Sequence, residues 1–338
     1  MVMVVPATIK DIARDTSLST ATISKYLSGI AVKPENADRI SKSIKNLNYQ
    51  VNAIARGLKT NKTMTIGVIL PNLSDIFSTD IIVSIEDHFS KHGYSVLICD
   101  CGQSGVVMLE KLDLLLSRRV DGLIVFPLLD EPRLPEKLRA IDIPIVFIDQ
   151  KVESVERDCV LVDNVNAAFK VTQNLISNGH KDIAIICGPE FNYTSIQRFN
   201  GYKNALEANE IKIDPGLIAY GDYSTQSGYD LFVQLWKSDR RPTAVFASSY
   251  YITLGAVLAI QDLGLKIGED ISLFAFDNID LAKVVTPALS VVVQPQKKMG
   301  EIAFDLLVNR LNGNRCDPPE EIILPTEIIL QESVASLL

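Results

Sequence analysis

Thr20, Ala21, Thr22 and Lys25 open one short helical pattern, and their chemistry suits the edges of DNA bases. Threonine hydroxyls and a lysine ammonium donate to base acceptors, and an alanine methyl fits against the methyl of thymine. Other reactive residue types are not spaced for catalysis. His88 and His92 lie four apart on a predicted helix, but Phe89 stands where a zinc protease needs Glu. No phosphate-binding loop, no glycine-rich dinucleotide fingerprint after the first strand and no G-x-S-x-G elbow occurs. The expectation is a non-enzyme without metal or cofactor. Cys99, Cys101, Cys159, Cys187 and Cys316 are odd in number, and most sit in apolar, strand-like runs, which predicts reduced core thiols in a cytoplasmic protein. No further Cys or His pair completes a metal site around Cys99 and Cys101.

The elements that would present Thr20 to Lys25 can be read locally. Thr8 followed by Asp11 reads as a capped helix start, with Ile9, Ile12 and Ala13 on a buried face, predicting a helix over Ile9 to Asp15. Ser17 and Leu18 make a turn, Ser19 caps again, and Thr20 to Leu27 forms a second helix burying Ile23 and Leu27. Pro34 opens a third, with Ala37, Ile40, Ile44 and Leu47 at helical spacing. Three short helices on one small core make a helix-turn-helix, whose second helix enters the major groove. The plainer alternative is a generic three-helix packing module. Charge favours the first reading: residues 1–62 carry ten Lys/Arg against four Asp/Glu, a net of +6, leaving -14 of the chain's -8 for the remainder. A small basic segment joined to a large acidic one points to a polyanionic partner.

From Thr65 onward the pattern changes to alternating strand and helix. Buried-strand runs at 65–70, 95–101, 122–127, 144–149 and 159–162 alternate with helical segments, and a second series runs from 183–187 through 217–221 and 244–247 to 272–276. Such alternation predicts an α/β protein of doubly wound parallel sheets in two lobes. Residues 290–324 have no unit of their own and are expected to cross back to the first lobe. The expected division is a helix-turn-helix domain over 1–50, a linker over 51–63 and a core over 64–338. Within that core the first lobe takes 64–163 and 290–324, the second 164–289 and 325–338. No run of apolar residues is long enough to span a membrane, and Met1 to Ile9 has no basic segment or cleavage site of a signal peptide.

The stretches TIKDIARDTSLSTATISKYLSG (Thr8 to Gly29) and LNYQVNAIARGLKTNKTMTIGVILP (Leu47 to Pro71) closely resemble the LacI/GalR family of bacterial repressors. Further matching blocks follow in the right order: ISNGHKDIAIICGP from Ile176, RFNGYKNAL from Arg198, GLKIGEDISLFAFDN from Gly264, QPQKKMGEIAFDLL from Gln294 and LPTEIILQES from Leu324. The resemblance implies a three-helix DNA-binding head followed by a two-lobed core like that of periplasmic binding proteins. Its partners would be double-stranded operator DNA, a small-molecule effector (a sugar, sugar acid or sugar phosphate) and a second copy of the chain. A homodimer is expected, because two recognition helices must lie one DNA turn apart. With the chain ending soon after Ser333, no C-terminal coiled coil for a tetramer is expected.

The resemblance also assigns residues. Asn52, Ala53, Ala55, Arg56 and Leu58 would form a hinge helix in the minor groove, Leu58 wedging between base steps. Gly57 inside it costs about 1 kcal/mol relative to Ala, which suits a helix that forms only on DNA. Val51 stands where the family usually has Pro, and Ser17 where many helix-turn-helix turns carry Gly. Phe77, Asp149, Arg198, Ser249 and Asp277 would surround the effector. Here the chain departs from its relatives: Ser249-Tyr250 replaces the usual Asn-Asp or Gly-Asp, and Asp75-Ile76-Phe77-Ser78 the usual Asn-Pro-Phe-Phe. Loss of an acid near Arg198 leans toward an anionic effector. A catabolite-control type of core, answering to a protein corepressor, is the alternative. A sugar-transport receptor shares the two lobes but has no use for a basic helix-turn-helix.

Overall fold

The computed structural model describes residues 7–27, 30–49, 62–277, 280–314 and 318–338. The chain divides into two compact units, Met1–Thr63 and Met64–Leu338. In the first, α1 (Ile9–Thr16), α2 (Thr20–Leu27) and α3 (Pro34–Asn46) each contribute one fully buried isoleucine, Ile12, Ile23 and Ile40, to a common core. The Asp11 carboxylate accepts from both the Thr8 backbone N–H (2.9 Å) and its hydroxyl (2.7 Å), which closes the first turn of α1. Those two bonds, aided by Arg14, hold its carboxyl below the usual range against slight desolvation. Ser17 takes the left-handed conformation after α1 (φ 51°), the position at which a glycine would be free of steric cost. Arg39 of α3 reaches the carbonyl of Thr16 and ties α3 to the end of α1.

The second unit holds two six-stranded sheets of matching design. β1 (Thr65–Leu70), β2 (Ser95–Asp100), β3 (Gly122–Val125), β4 (Ile145–Ile148), β5 (Asp158–Val162) and β11 (Glu321–Leu324) form the first, in the order β11-β5-β4-β3-β1-β2, all parallel. β6 (Ile183–Cys187), β7 (Ile218–Tyr220), β8 (Ala244–Ala247), β9 (Ser272–Phe276), β10 (Ser290–Val293) and β12 (Glu327–Ile329) form the second, in the order β12-β10-β9-β8-β6-β7. There only the β10–β12 pair is antiparallel. The inner strands are nearly continuous apolar runs because helices cover both faces of each sheet.

In the first lobe α4 (Ile76–Lys91) covers one face, and α5 (Gly105–Ser117) and α6 (Leu134–Arg139) the other. In the second, α7 (Asn164–Ser177) and α8 (Tyr193–Ala208) lie opposite α9 (Thr225–Lys237) and α10 (Tyr250–Asp262). Gly228 and Gly255 let these last two helices meet backbone to backbone, where a Cβ on either would strike the other helix. After the short α11 (Asp280–Val284), α12 (Gln296–Leu311) returns to the first lobe and packs Met299, Phe304 and Leu307 beside Ile81, Ile85 and Phe89 of α4. Arg310 of α12 forms a buried two-pronged bond to Asp158 of β5, at 2.7 and 2.6 Å.

The expectation that residues 290–324 all belong to the first lobe is corrected here. β10 stays in the second sheet, pairing with β9, and the chain crosses only after Gln294. A run such as Ser-Val-Val-Val is equally at home in either sheet, so its partner is decided by tertiary pairing and not by local composition. No described helix is long and apolar enough to cross a membrane.

Candidate functional site

Between the two sheets of the second unit lies a cavity of about 220 Å³. Its walls come from the residues just past the C-terminal ends of β1 to β4 in one lobe and β6 to β10 in the other. Loops at that edge of a parallel sheet leave backbone N–H groups and helix N-termini facing the gap. Phe77, Asp149, Arg198, Ser249 and Asp277 all line it.

Asp149 and Asp277 are the first residues past β4 and β9, and both are left-handed, with φ of 67° and 77°. For residues other than glycine this conformation carries a steric cost, and it turns each carboxylate out of its strand into the gap. Burial pushes the Asp149 carboxyl up to about 7; Arg198 pulls the other way, and Asp277 and Asp75 add to the rise. Burial also raises Asp277, opposed by Arg198 and by the hydrogen bond from Gln294. The two differ in their partners. Asp277 accepts from Gln294 Nε2 at 2.5 Å and from the Tyr250 backbone N–H at 3.3 Å, whereas Asp149 Oδ1 is sealed from solvent with no partner among the described residues.

Arg198, on α8, is 4% exposed. It donates from Nε to Asn164 Oδ1 (2.8 Å) and from Nη1 to the Ser248 carbonyl (2.5 Å), and its guanidinium lies 3.7 Å from the centre of the Phe276 ring. Among the described residues no carboxylate lies within 4.0 Å of it in an ion pair, so its role is not that of a structural salt bridge. Ser249 is the N-cap of α10, its hydroxyl accepting from the Ile252 N–H at 3.5 Å. Phe77, in the first turn of α4, is half-buried and presents a flat apolar wall.

Several lining residues escaped the sequence reading. Asp75 and Asn192 are N-caps of α4 and α8, accepting from Ser78 and Ser195 respectively. Each was visible as a capping residue type, though nothing local aims it at a cavity. Gln150 and Asn192 bond across the gap at 3.1 Å, and the Tyr251 hydroxyl donates to the Ser74 carbonyl of the other lobe at 2.5 Å. Gln294, 2% exposed, opens one of the blocks that match the family, but nothing in that block marks it as a cavity residue. Among the described residues the lining holds Asp75, Asp130, Asp149, Asp222 and Asp277 against one cation, Arg198. The expectation of an anionic ligand therefore runs against the charge of the cavity: the acid missing at position 250 is outweighed by acids from other loops.

In the first unit, Thr20, Ala21 and Lys25 are exposed on α2. Thr22 is half-buried, and its hydroxyl is bonded to Ser19 at 2.9 Å, making it part of the helix start. Asn52, Ala53, Ala55, Arg56 and Leu58 lie outside the described residues. Among the described residues no group of three or more His, Cys, Asp or Glu is placed to hold a metal ion.

Residues 172–334 match the family described as periplasmic binding protein-like domain. Over nearly its whole length the chain is similar to curated regulators. It is 33% identical to catabolite control protein A of Priestia megaterium, covering 96% of this chain and 98% of the relative. It is 34% identical to the HTH-type transcriptional repressor CytR of Escherichia coli (strain K12), covering 98% and 97%. Among solved structures, the lac repressor dimer bound to operator and the anti-inducer ONPF superposes with a TM-score of 0.88 at 24% identity, over 98% of this chain and 100% of that one. The transcriptional regulator CelR–cellobiose complex superposes with a TM-score of 0.74 at 26% identity, over 97% and 99%.

Proposed function

Because the chain belongs to the LacI/GalR family of transcriptional repressors, we propose that its first unit holds double-stranded operator DNA and that filling the interlobe cavity with a small molecule changes that grip. The observation that carries the reading is the convergence of Phe77, Asp149, Arg198, Ser249 and Asp277 on one cavity. Residues so far apart in sequence, supplied by both lobes, link ligand occupancy to the relation between the lobes. Thr20, Ala21 and Lys25 read base edges, and Asn52, Ala53, Ala55, Arg56 and Leu58 enter the minor groove.

The working form is a cytoplasmic homodimer. Leu97 and Ile98 on the edge strand β2, with Val106 and Leu114 on α5, are 40–49% exposed and give the first lobe an apolar flank suited to a second copy. The effector is a hydroxyl-bearing small molecule of the carbohydrate class. A protein corepressor, suggested by the likeness to catabolite control protein A, is the second reading. Against it stands a concave cavity of about 220 Å³ lined by polar and aromatic side chains from both lobes, which suits a small polar ligand.

The test is a fluorescence-anisotropy titration of promoter fragments, including that of the chain's own gene, at several salt concentrations with and without a panel of sugars. Binding is expected to weaken with a log-log slope of roughly 0.9 per neutralised phosphate and to shift when an effector is added. Affinity independent of salt, or indifferent to every metabolite tried, contradicts the reading. Leu58→Ala is expected to weaken operator binding while leaving effector binding unchanged.

A further inference from the structure

We propose that the ligand of the interlobe cavity is a protonated polyhydroxylated amine, an amino sugar, and not a neutral or acidic sugar. The inference rests on the proposed effector role of this cavity and narrows its ligand class.

Three features of the cavity converge on it. The first is charge: among the described lining residues five aspartates accompany one arginine, and although burial raises the Asp149 and Asp277 carboxyls and Asp130 and Asp222 are exposed, the surround stays net negative. Arg198 is also partly spent, with Nε and Nη1 engaged by Asn164 and the Ser248 carbonyl and its plane laid on Phe276. A carboxylate or phosphate ligand would add like charge to this surround.

The second is the direction of the missing hydrogen bonds. Asp149 Oδ1 and Gln294 Oε1 are both sealed from solvent without a partner. The orientation of the Gln294 amide is dictated by chemistry, because only its NH₂ end can face the Asp277 carboxylate at 2.5 Å. Its oxygen is thereby left as a buried acceptor. With Asp149 ionised both orphans are acceptors on lining residues, so a ligand that reaches them gains most by bringing donors. An ammonium supplies three donors and no acceptor. A hydroxyl can answer one orphan at a time but leaves the negative balance uncompensated.

The third is the wall. Tyr223, Tyr250 and Tyr251 line the same space, and aromatic faces attract cations. Tyr250 and Tyr251 also pack edge to face, with ring centres 4.7 Å apart.

The test uses the full-length chain in isothermal titration with glucosamine, galactosamine and mannosamine. Each is set beside its parent hexose, its N-acetyl form, which lacks the charge, and the corresponding uronic acid. At least one amine is expected to bind about tenfold tighter or better than its parent and its N-acetyl form. In Asp149→Asn, checked for an intact melting transition, that preference is expected to shrink to about threefold or less. The wild-type comparison stands by itself should the variant fold poorly. A parent hexose or uronic acid binding as tightly as its amine overturns the inference and leaves the effector reading intact. If no polyol of any charge binds to chain that still binds operator, both fall.

Discussion

The two lobes of the core are built on one plan, and their cavity walls show where the plan was varied. β1 to β5 with β11 and β6 to β10 with β12 follow the same order. Asp75 and Asn192 each stand five residues past the first strand of their lobe and cap the helix that follows. Gln103 and Tyr223 each stand three past the second strand, and Asp149 and Asp277 directly follow the fourth. Both of these latter pairs are left-handed, with φ from 59° to 77°. Backbone geometry is thus conserved between the lobes, and side-chain bonding is not. At these matched positions the second lobe is the more fully bonded: Asn192 accepts from the Ser195 N–H and Thr194 hydroxyl, and Asp277 is held by Gln294 and Tyr250, although Gln294 Oε1 and Ser248 Oγ stay without partners among the described residues. The first lobe presents Asp149 with a bare oxygen. Of the two matched acids, Asp277 is preorganised by its own lobe and Asp149 is not, so a ligand that engages Asp149 adds a contact the first lobe lacks and gains leverage over the relation between the lobes.

Arg198→Ala is the largest expected disruption of this contrast. It strips the second lobe's wall of its cation, leaves Asn164 and the Ser248 carbonyl without their donor, and removes the pull on both aspartates. The expected result is loss of effector binding together with about 3 kcal/mol of stability, read by urea unfolding. Unchanged stability would mean that the second wall is not the rigid one.

Asn substitutions at the paired aspartates should have opposite consequences. Asp149→Asn removes a buried, unpartnered carboxylate, so the effector-free melting temperature is expected to rise by a few degrees at pH 8 while effector affinity falls. Asp277→Asn takes an acceptor from Gln294 and Tyr250 and should cost about 1 kcal/mol. The pH dependence follows from the sign of the Asp149 shift. Its folded value, about 7, lies above that of an unfolded carboxyl, near 4. Its contribution to stability is therefore fully present below about pH 4 and is lost as pH rises through about 7. Effector-free wild type should lose more stability than Asp149→Asn between pH 4 and 8, as measured by thermal unfolding. Parallel curves would place the titrating group elsewhere. The smallest effect is expected for Tyr251→Phe, which deletes the hydroxyl bonded to the Ser74 carbonyl across the gap. A loss of about 1 kcal/mol or less in effector affinity is expected, without change in melting temperature.

Much of this molecule is legible along the chain. Val-Ile-rich runs bounded by Pro, Gly and Asp marked the strands from β1 to β9 to within a residue or two, because strands buried on both faces must be short and apolar. Helix starts are less legible than strands. α7 and α8 begin three residues before Ala167 and Ile196, where the apolar periodicity sets in, since Asp163 and Asn192 cap first turns that include polar residues, and α5 begins on a glycine after its cap, Ser104. β12 and α11 were missed, being too short to show a period.

The amino-acid sequence alone determined the basic three-helix head, the α/β alternation and, through the blocks matching its relatives, the five residues around the cavity. The head and the alternation depend on local spacing and on short-range capping and burial, whereas the five cavity residues came only from the resemblance. Only the tertiary structure decided that β10 remains in the second sheet, that Gln294 comes to rest against Asp277, that Asn192 and Gln150 bond across the gap, and that five acids from separate loops surround one arginine. Those relations join residues tens to hundreds of positions apart. No periodicity records such pairings, because each residue has the same local preference whichever partner the fold brings to it.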